Sequence, residues 1–230
     1  MEWKEGKVAM TALVESTPLK LYFHPFASFC QKVLIVFYEN HVPFEPIIVD
    51  LADEASRTAF EAVWPIARFP VLRDDARDRL VPESSVIIEY LDLYYPGPTR
   101  LVPDDADAAL TTRMRDRFFD FYVSEPMQKI VTDRIRPAGK ADPHGVEAAK
   151  RLLQTAYVML DREMATRTWA IGEAFTLADC AAAPALFYSN WVMPFGEYKN
   201  VAAYFSRLSE RTSFAQVVEE ARPYRHLFPK

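Results

Sequence analysis

The sequence predicts an α/β domain followed by an all-α domain, and two observations support this fold class. In the first hundred residues, apolar runs with strand-like and helix-like spacing follow the order β, α, β, α, β, β, α. A right-handed crossover between the first two strands converts that order into a mixed four-stranded sheet. After Pro96-Gly97-Pro98, every periodic segment has helical spacing. We expect an N-terminal arm at residues 1–17, a sheet domain at 18–96, a linker at 97–103 and a helical bundle domain at 104–230.

The first four elements each have a local signal. Alternating residues at 19–23 predict a strand, and apolar side chains three and four residues apart predict a helix at 30–40. The nearly continuous apolar run at 44–49 is typical of a buried parallel strand. A short helix is predicted at 53–62. Together these segments form the β, α, β, α half of the first domain.

The stretch from Arg68 to Tyr95 has the strongest functional signal. Pro70 stands directly before the apolar pair Val71-Leu72, at a strand start, where its missing N–H costs least, and Leu80-Val81 completes an antiparallel hairpin. The next helix begins at Glu83-Ser84. Its N-terminus offers unpaired N–H groups and about half a positive charge to a small carboxylate, while Glu83 can hold an ammonium group beside it. This helix start therefore fits an α-amino acid headgroup.

The second domain is predicted to be entirely helical. Thr176, with Asp179 three residues later, is a close variant of a capping box, so we assign both residues to folding. Residues 133–145 are polar and contain two prolines and two glycines, which favours a mobile loop. The predicted helices span 105–124, 146–164, 201–209 and 214–221, together with one that begins at Thr176.

Composition excludes several classes of function. The net charge is −5, from 27 basic and 32 acidic residues, and no basic block carries interleaved aromatic residues, so nucleic acid is not an expected partner. No apolar run approaches the roughly 20 residues of a membrane span, and Glu2 and Glu5 stand where a signal peptide would be basic. Cys30 and Cys180 are far apart and lack nearby metal-ligand partners, so neither a disulfide framework nor a metal site is expected. We expect a cytoplasmic protein.

Four motifs in this order resemble those of soluble, bacterial-type glutathione transferases. They are Ala27-Ser28-Phe29-Cys30, Phe69-Pro70-Val71, Glu83-Ser84 and Phe175-Thr176-Leu177-Ala178-Asp179. The resemblance covers about residues 19 to 222 and implies a thioredoxin-like first domain. It also implies that Pro70 is cis, that Phe69, Pro70 and Val71 meet the cysteinyl part of glutathione through the Val71 backbone, and that Glu83 and Ser84 bind its γ-glutamyl end. A homodimer is a further implication.

Ser28 has two alternative roles. With Gln31 it forms an ordinary capping-box pattern, which would make it a purely structural residue. Alternatively its hydroxyl stabilises the glutathione thiolate at a helix N-terminus, which already lowers a thiol pKa. The resemblance places the family's usual catalytic residue at Ala27, one position earlier. Either Ser28 has taken the catalytic role or backbone N–H groups activate the thiol.

A second substrate is expected between the two domains, where pockets tend to form. Phe26, Phe118, Tyr122 and Met193 are the residues predicted to line that pocket, although an aromatic stripe is also typical of plain core. The predicted function is glutathione transfer to an apolar electrophile. The alternatives are a glutathione-dependent isomerase of the maleylacetoacetate type, a lyase or a dehalogenase on the same fold, and a non-catalytic glutathione-binding protein.

Overall fold

The first domain is built on a mixed sheet of four strands. The computed structural model describes residues 17–229, so the arm predicted at 1–17 lies almost wholly outside the described residues. The strand order is β2-β1-β3-β4, with β1 parallel to β2 and the other two neighbouring pairs antiparallel. This confirms the predicted mixed sheet. The strands are β1 Leu19–Phe23, β2 Glu45–Ile48, β3 Val71–Asp74 and β4 Arg79–Pro82.

One expectation about the sheet was wrong. The apolar run at 44–49 predicted a strand buried on both sides, but β2 is an edge strand, and Ile48 is 50% exposed. An apolar run gives the tendency of a segment to form a strand. The position of that strand in the sheet depends on the crossover, which local composition does not encode.

The helix α1 is the centre of the molecule. The first domain contains the helices α1 Ser28–Glu39, α2 Glu54–Val63 and α3 Ser84–Tyr94. Eight consecutive residues of α1, from Cys30 to Phe37, are buried. A helix buried around its whole circumference must be covered on every side. In this structure α1 packs against α3 of its own domain and against two helices of the second domain, α7 and α9.

The second domain is helical, as predicted, with one interruption that the sequence did not indicate. The helix expected at 105–124 ends as an α-helix at Phe119 and continues as a π-helical turn, Asp120–Ser124. Single π turns of this kind occur frequently at functional sites. The helices are α4 Ala106–Phe119, α5 Glu125–Asp133, α6 Pro143–Met164, α7 Leu177–Val192, α8 Lys199–Glu210 and α9 Thr212–Ala221, followed by a 3-10 helix at Arg222–Leu227.

The two domains share one hydrophobic core. The predicted linker at 97–103 lies between α3 and α4, and its residues Leu101 and Val102 are buried. The capping box of Thr176 and Asp179 is present at the start of α7, as predicted. Within residues 17–229, no helix is long and apolar enough to cross a membrane.

Candidate functional site

Three of the predicted motifs meet at one end of the sheet. Val71 pairs with Tyr22 of β1 on one side and with Pro82 of β4 on the other. The C-terminal ends of β1 and β4 and the N-terminal end of β3 therefore lie at the same end of the sheet. The turn after β1, the residues before β3 and the start of α3 are next to these strand ends. The His24 ring stacks on the Phe69 ring with a centroid distance of 6.3 Å, which joins the first two of these segments directly. Segments 24–28, 69–71 and 83–84 are thus neighbours.

The first segment ends in the N-terminus of α1. The Ala27 N–H donates to the His24 carbonyl at 3.0 Å, and the N–H groups of Cys30 and Gln31 both donate to the Ala27 carbonyl at 2.9 Å. These are the first hydrogen bonds of the helix, so the N–H groups of Ser28 and Phe29 precede them and have no partner within the helix. They add to the positive end of the helix dipole. This turn can therefore stabilise an anion such as a thiolate.

The capping box of Ser28 and Gln31, one of the two roles left open for Ser28, does not form. The N-cap of α1 is Ala27, and no side chain caps this helix. The Gln31 side chain is instead buried and donates to the Pro25 carbonyl at 3.0 Å and to the Tyr188 hydroxyl at 2.9 Å. Tyr188 in turn donates to the Phe26 carbonyl at 2.9 Å. Because the Gln31 side chain makes these buried hydrogen bonds, it does not reach back to the start of α1. The Ser28 hydroxyl therefore has no capping role.

Two titratable side chains beside this turn are held in their neutral forms. Burial lowers the pKa of His24, with partial compensation by Asp50, and the His24 Nδ1 accepts the Phe26 N–H at 3.2 Å. The proton of the neutral ring then lies on Nε2. Cys30 is completely buried, and burial raises the pKa of its thiol far above the ordinary range. Cys30 is thus a buried core residue and not a reactive thiol.

The second segment has the predicted cis peptide bond, between Phe69 and Pro70. Asp75 directly follows β3, and its N–H donates at 2.9 Å to the carbonyl of Pro18, the residue directly before β1. Because alternate residues of an antiparallel strand point their N–H and C=O groups to the same side, the Val71 backbone also faces β1, opposite Tyr22. The expected contact of Val71 with glutathione would compete with this pairing. The Phe69 backbone lies before the strand and is better placed for that contact.

The third segment carries an unusual backbone conformation. Glu83 is the N-cap of α3 and has φ 71° and ψ 115°, although it is not glycine. Such conformations cost about 1 to 3 kcal/mol and cluster at binding and catalytic sites. The first helical bond joins the Ile87 N–H to the Glu83 carbonyl at 2.9 Å, so the N–H groups of Ser84, Ser85 and Val86 precede it. Glu83 is exposed and Ser84 is buried, which places a carboxylate beside a set of N–H donors.

An aromatic wall stands beside the first segment. The Phe26 ring packs against Tyr188 at 5.4 Å, Trp191 at 6.3 Å and Phe228 at 6.5 Å. The Tyr224 ring packs edge-on against His24 at 4.8 Å. Sequence analysis predicted only Phe26 among these residues. The others lie on α7 and on the C-terminal segment, and no motif connects them with the turn before α1.

The other residues predicted for the second-substrate pocket make contacts within the helical domain. Phe118 is buried and contacts Tyr122 with a ring distance of 5.6 Å, and the Arg115 guanidinium lies 4.2 Å from its ring centre. Tyr122 is 48% exposed. Met193 ends α7, and its carbonyl accepts the Tyr157 hydroxyl at 3.1 Å. Within the described part of the chain, no aromatic contact joins Phe118 or Tyr122 to Phe26.

Known family models match both domains of the chain. The family model "Glutathione S-transferase, N-terminal domain" matches residues 21–99, and "Glutathione S-transferase, C-terminal domain" matches residues 121–212. Glutathione S-transferase GstB of Escherichia coli strain K12 is 26% identical over 191 residues, which cover 82% of this chain and 91% of the relative. A stringent starvation protein A homolog of Coxiella burnetii is 29% identical, with coverage of 91% of this chain and 95% of the relative.

The solved structures lead to the same family. A glutathione S-transferase from Methylobacillus flagellatus KT with GSH bound has a TM-score of 0.77 and 26% identity, and the match covers 86% of this chain and 98% of that one. The two family models together span the sheet domain and most of the helical domain. The chain therefore belongs to the glutathione transferase family.

Proposed function

We propose that this protein binds glutathione at the edge where segments 24–28, 69–71 and 83–84 meet, and activates its thiol for attack on an apolar electrophile. The observation that carries the proposal is the convergence of two helix N-termini on that edge, those of α1 and α3. One can accept a carboxylate and the other a thiolate. Glutathione contains both groups, one at each end of its γ-glutamylcysteine part.

Each residue then has a distinct role. The Glu83 carboxylate accepts hydrogen bonds from the ammonium group of the γ-glutamyl part. Ser84 and the free N–H groups of α3 donate to the carboxylate of the same γ-glutamyl part. The Phe69 backbone pairs with the cysteinyl part, and Pro70 and Val71 form the floor beside it. The thiol then lies at the N-terminus of α1, next to Ser28.

The chemistry needs a thiolate and a fixed geometry. The Ser28 hydroxyl and the N–H groups of Ser28 and Phe29 lower the thiol pKa, so that more of the bound glutathione is ionised at neutral pH. Holding the electrophile beside that thiolate supplies a further rate gain through proximity. The aromatic wall of Phe26, Tyr188, Trp191 and Phe228 favours an apolar and preferably aromatic electrophile.

Two measurements on the unmodified chain test this proposal. Calorimetry should show glutathione binding, and thiol-conjugation assays with several aromatic and aliphatic electrophiles should show turnover. A chain that binds no glutathione at millimolar concentration would refute the proposal.

A non-catalytic glutathione-binding protein is the second candidate, and one observation favours it. Ala27, at the N-cap of α1, occupies the position where the family resemblance expects the catalytic hydroxyl or thiol. Binding with a normal thiol pKa and no conjugation with any electrophile would support this candidate. An isomerase, lyase or dehalogenase reaction would instead appear as turnover of the corresponding substrate without a conjugate.

We also propose a homodimer. Apolar side chains on α3, on α4 and on the π-helical turn Asp120–Ser124 are exposed. A second copy would bury this surface, and light scattering at micromolar concentration should give twice the chain mass of 26.4 kDa. A monomeric mass would contradict it. The exposed residues are Val86, Leu93, Tyr94, Leu110, Met114, Phe121 and Tyr122.

A further inference from the structure

Four charged side chains form a cluster between α1 and the helical domain, in which Lys32, Asp116 and Asp120 are buried and Arg117 is 44% exposed. The Lys32 ammonium of α1 is 1% exposed and lies 2.5 Å from Asp116 Oδ1 and 3.0 Å from Asp120 Oδ2. Arg117 completes the cluster, with its Nη2 2.6 Å from Asp116 Oδ2 and 2.7 Å from Asp120 Oδ2. Two cations thus face two anions. Because a buried ion that loses its partner is strongly unfavourable, these residues behave as one unit. We call them the Lys32 cluster.

Three members of the Lys32 cluster meet at the hydroxyl of Ser85. The Lys32 ammonium donates to Ser85 Oγ at 2.8 Å, and the Ser85 hydroxyl donates to Asp116 Oδ2 at 2.8 Å. Arg117 also donates to Ser85 Oγ. Ser85 is the second residue of α3 and directly follows Ser84. The cluster therefore ties the first turn of α3 both to α1 and to the helical domain.

We propose that the Lys32 cluster, acting through Ser85, positions the first turn of α3 for the γ-glutamyl headgroup of glutathione. The inference rests on the proposed function. Lys32, Asp116 and Ser85 are positioning residues in this scheme. The contacts themselves come from Glu83, Ser84 and the N–H groups at the start of α3.

The backbone of Glu83 gives the physical reason. A residue other than glycine with φ 71° keeps that conformation only where its neighbours over-determine it. The Glu83 side chain makes no capping hydrogen bond of its own. On one side the Pro82 ring restricts the chain, and on the other side Ser85 is held by the cluster. Without the anchor at Ser85, the turn can relax, and the N–H groups of α3 no longer converge on one carboxylate.

The structure also supplies a matched control. Arg113 of α4 and Glu89 of α3 form an ion pair at 2.7 Å that joins the same two helices about one turn further along α3. Both side chains are substantially exposed. This pair links α3 to α4 without touching the first turn of α3. Removing this ion pair therefore measures the effect of a weaker contact between α3 and α4 on glutathione binding, without a change at the first turn of α3.

The test is Ser85→Ala in the full chain, measured by glutathione calorimetry, steady-state kinetics and thermal unfolding. The dissociation constant for glutathione should rise about three- to tenfold, as expected for one lost hydrogen bond. The KM for glutathione should rise with it while kcat stays unchanged, because the headgroup lies away from the reacting thiol. Ser85→Thr keeps the hydroxyl and should restore the affinity. Asp116→Asn should weaken binding in the same direction, and its effect should be less than additive with Ser85→Ala, because both act through one contact.

Wild-type affinity in Ser85→Ala, together with a lowered unfolding temperature, would overturn the proposal and leave the cluster with a role in stability alone. Equal losses of affinity in Ser85→Ala and in the control Glu89→Gln would overturn it as well. If Asp116→Asn does not fold, Ser85→Ala still decides the question, because it changes no charge. The proposed function is judged separately, by glutathione binding to the unmodified chain.

Discussion

The role of Ser28 can be tested with one substitution, because the structure removes the competing capping role. Ser28 lies in the first turn of α1, whose N-cap is Ala27, and no side chain caps this helix. Loss of a true helix cap costs about 0.5 to 2 kcal/mol of stability. Ser28→Ala should therefore leave the free energy of unfolding nearly unchanged. Any effect of the substitution should appear in the chemistry of bound glutathione.

The size of that effect follows from one hydrogen bond. A hydrogen bond to a charged group contributes about 1.5 to 3 kcal/mol, and one pKa unit corresponds to about 1.36 kcal/mol. If the Ser28 hydroxyl donates to the thiolate, Ser28→Ala should raise the pKa of bound glutathione by about one to two units. Conjugation at neutral pH should then fall about tenfold or more, because the thiolate is the nucleophile.

The assay is thiolate absorbance against pH, recorded for both proteins with glutathione bound, together with denaturant unfolding of each. Thr176→Ala is the matched control, since Thr176 belongs to the capping box of α7 and lies in another part of the fold. That variant should lose stability while its titration curve stays in place. Superimposable curves for wild type and Ser28→Ala would refute the thiolate role and assign activation to the N–H groups of Ser28 and Phe29.

Three further predictions follow from the geometry. Glu83→Gln should weaken glutathione binding by about 1 to 3 kcal/mol in calorimetry with the circular dichroism spectrum unchanged, because a hydrogen bond to an ammonium group is weakened. Phe228→Ala removes one ring of the aromatic wall and should raise KM for aromatic electrophiles more than for small aliphatic ones; an equal rise would argue against the wall. Burial raises the pKa of Glu39, but hydrogen bonds from Arg211 and Ser213 outweigh it and hold the pKa below its usual value. This contribution to stability is present above about pH 4.5 and is lost as the pH falls through the lowered pKa, so Glu39→Gln should reduce the pH dependence of the unfolding free energy below about pH 4.5.

Local sequence signals predicted the elements whose structure is decided locally. Alternation predicted β1, and the structure places it at Leu19–Phe23. The side chains of Thr176 and Asp179 satisfy backbone groups three residues apart, so their capping box was readable from spacing alone. The family resemblance implied that the three motifs bind one ligand, and the strand order of the structure brings them to the same end of the sheet.

The remaining features depend on contacts between distant parts of the chain. Gln31 fitted a capping pattern, but its partners are Pro25 and Tyr188, the second of them 157 residues away. Lys32 would be taken for a surface lysine in any periodicity analysis, but its ammonium is buried against Asp116 of α4 and Asp120 of the π-helical turn. Phe228 enters the site because the C-terminal segment folds back onto α7. Spacing within one helix cannot report any of these contacts.

The hydroxyl of Tyr188 has a consequence for recombining this protein with its relatives. It accepts a hydrogen bond from Gln31 and donates one to the Phe26 carbonyl, so a residue of the helical domain fixes the turn that precedes α1. A chimera that joined this sheet domain to the helical domain of another family member would keep Ser28, Glu83 and every strand. Unless the donor supplied a hydroxyl at the same point of the helix that corresponds to α7, the Gln31 amide and the Phe26 carbonyl would each lose a hydrogen-bond partner. Tyr188 and Gln31 must therefore be exchanged as a pair, and the two domains of this chain are not interchangeable modules.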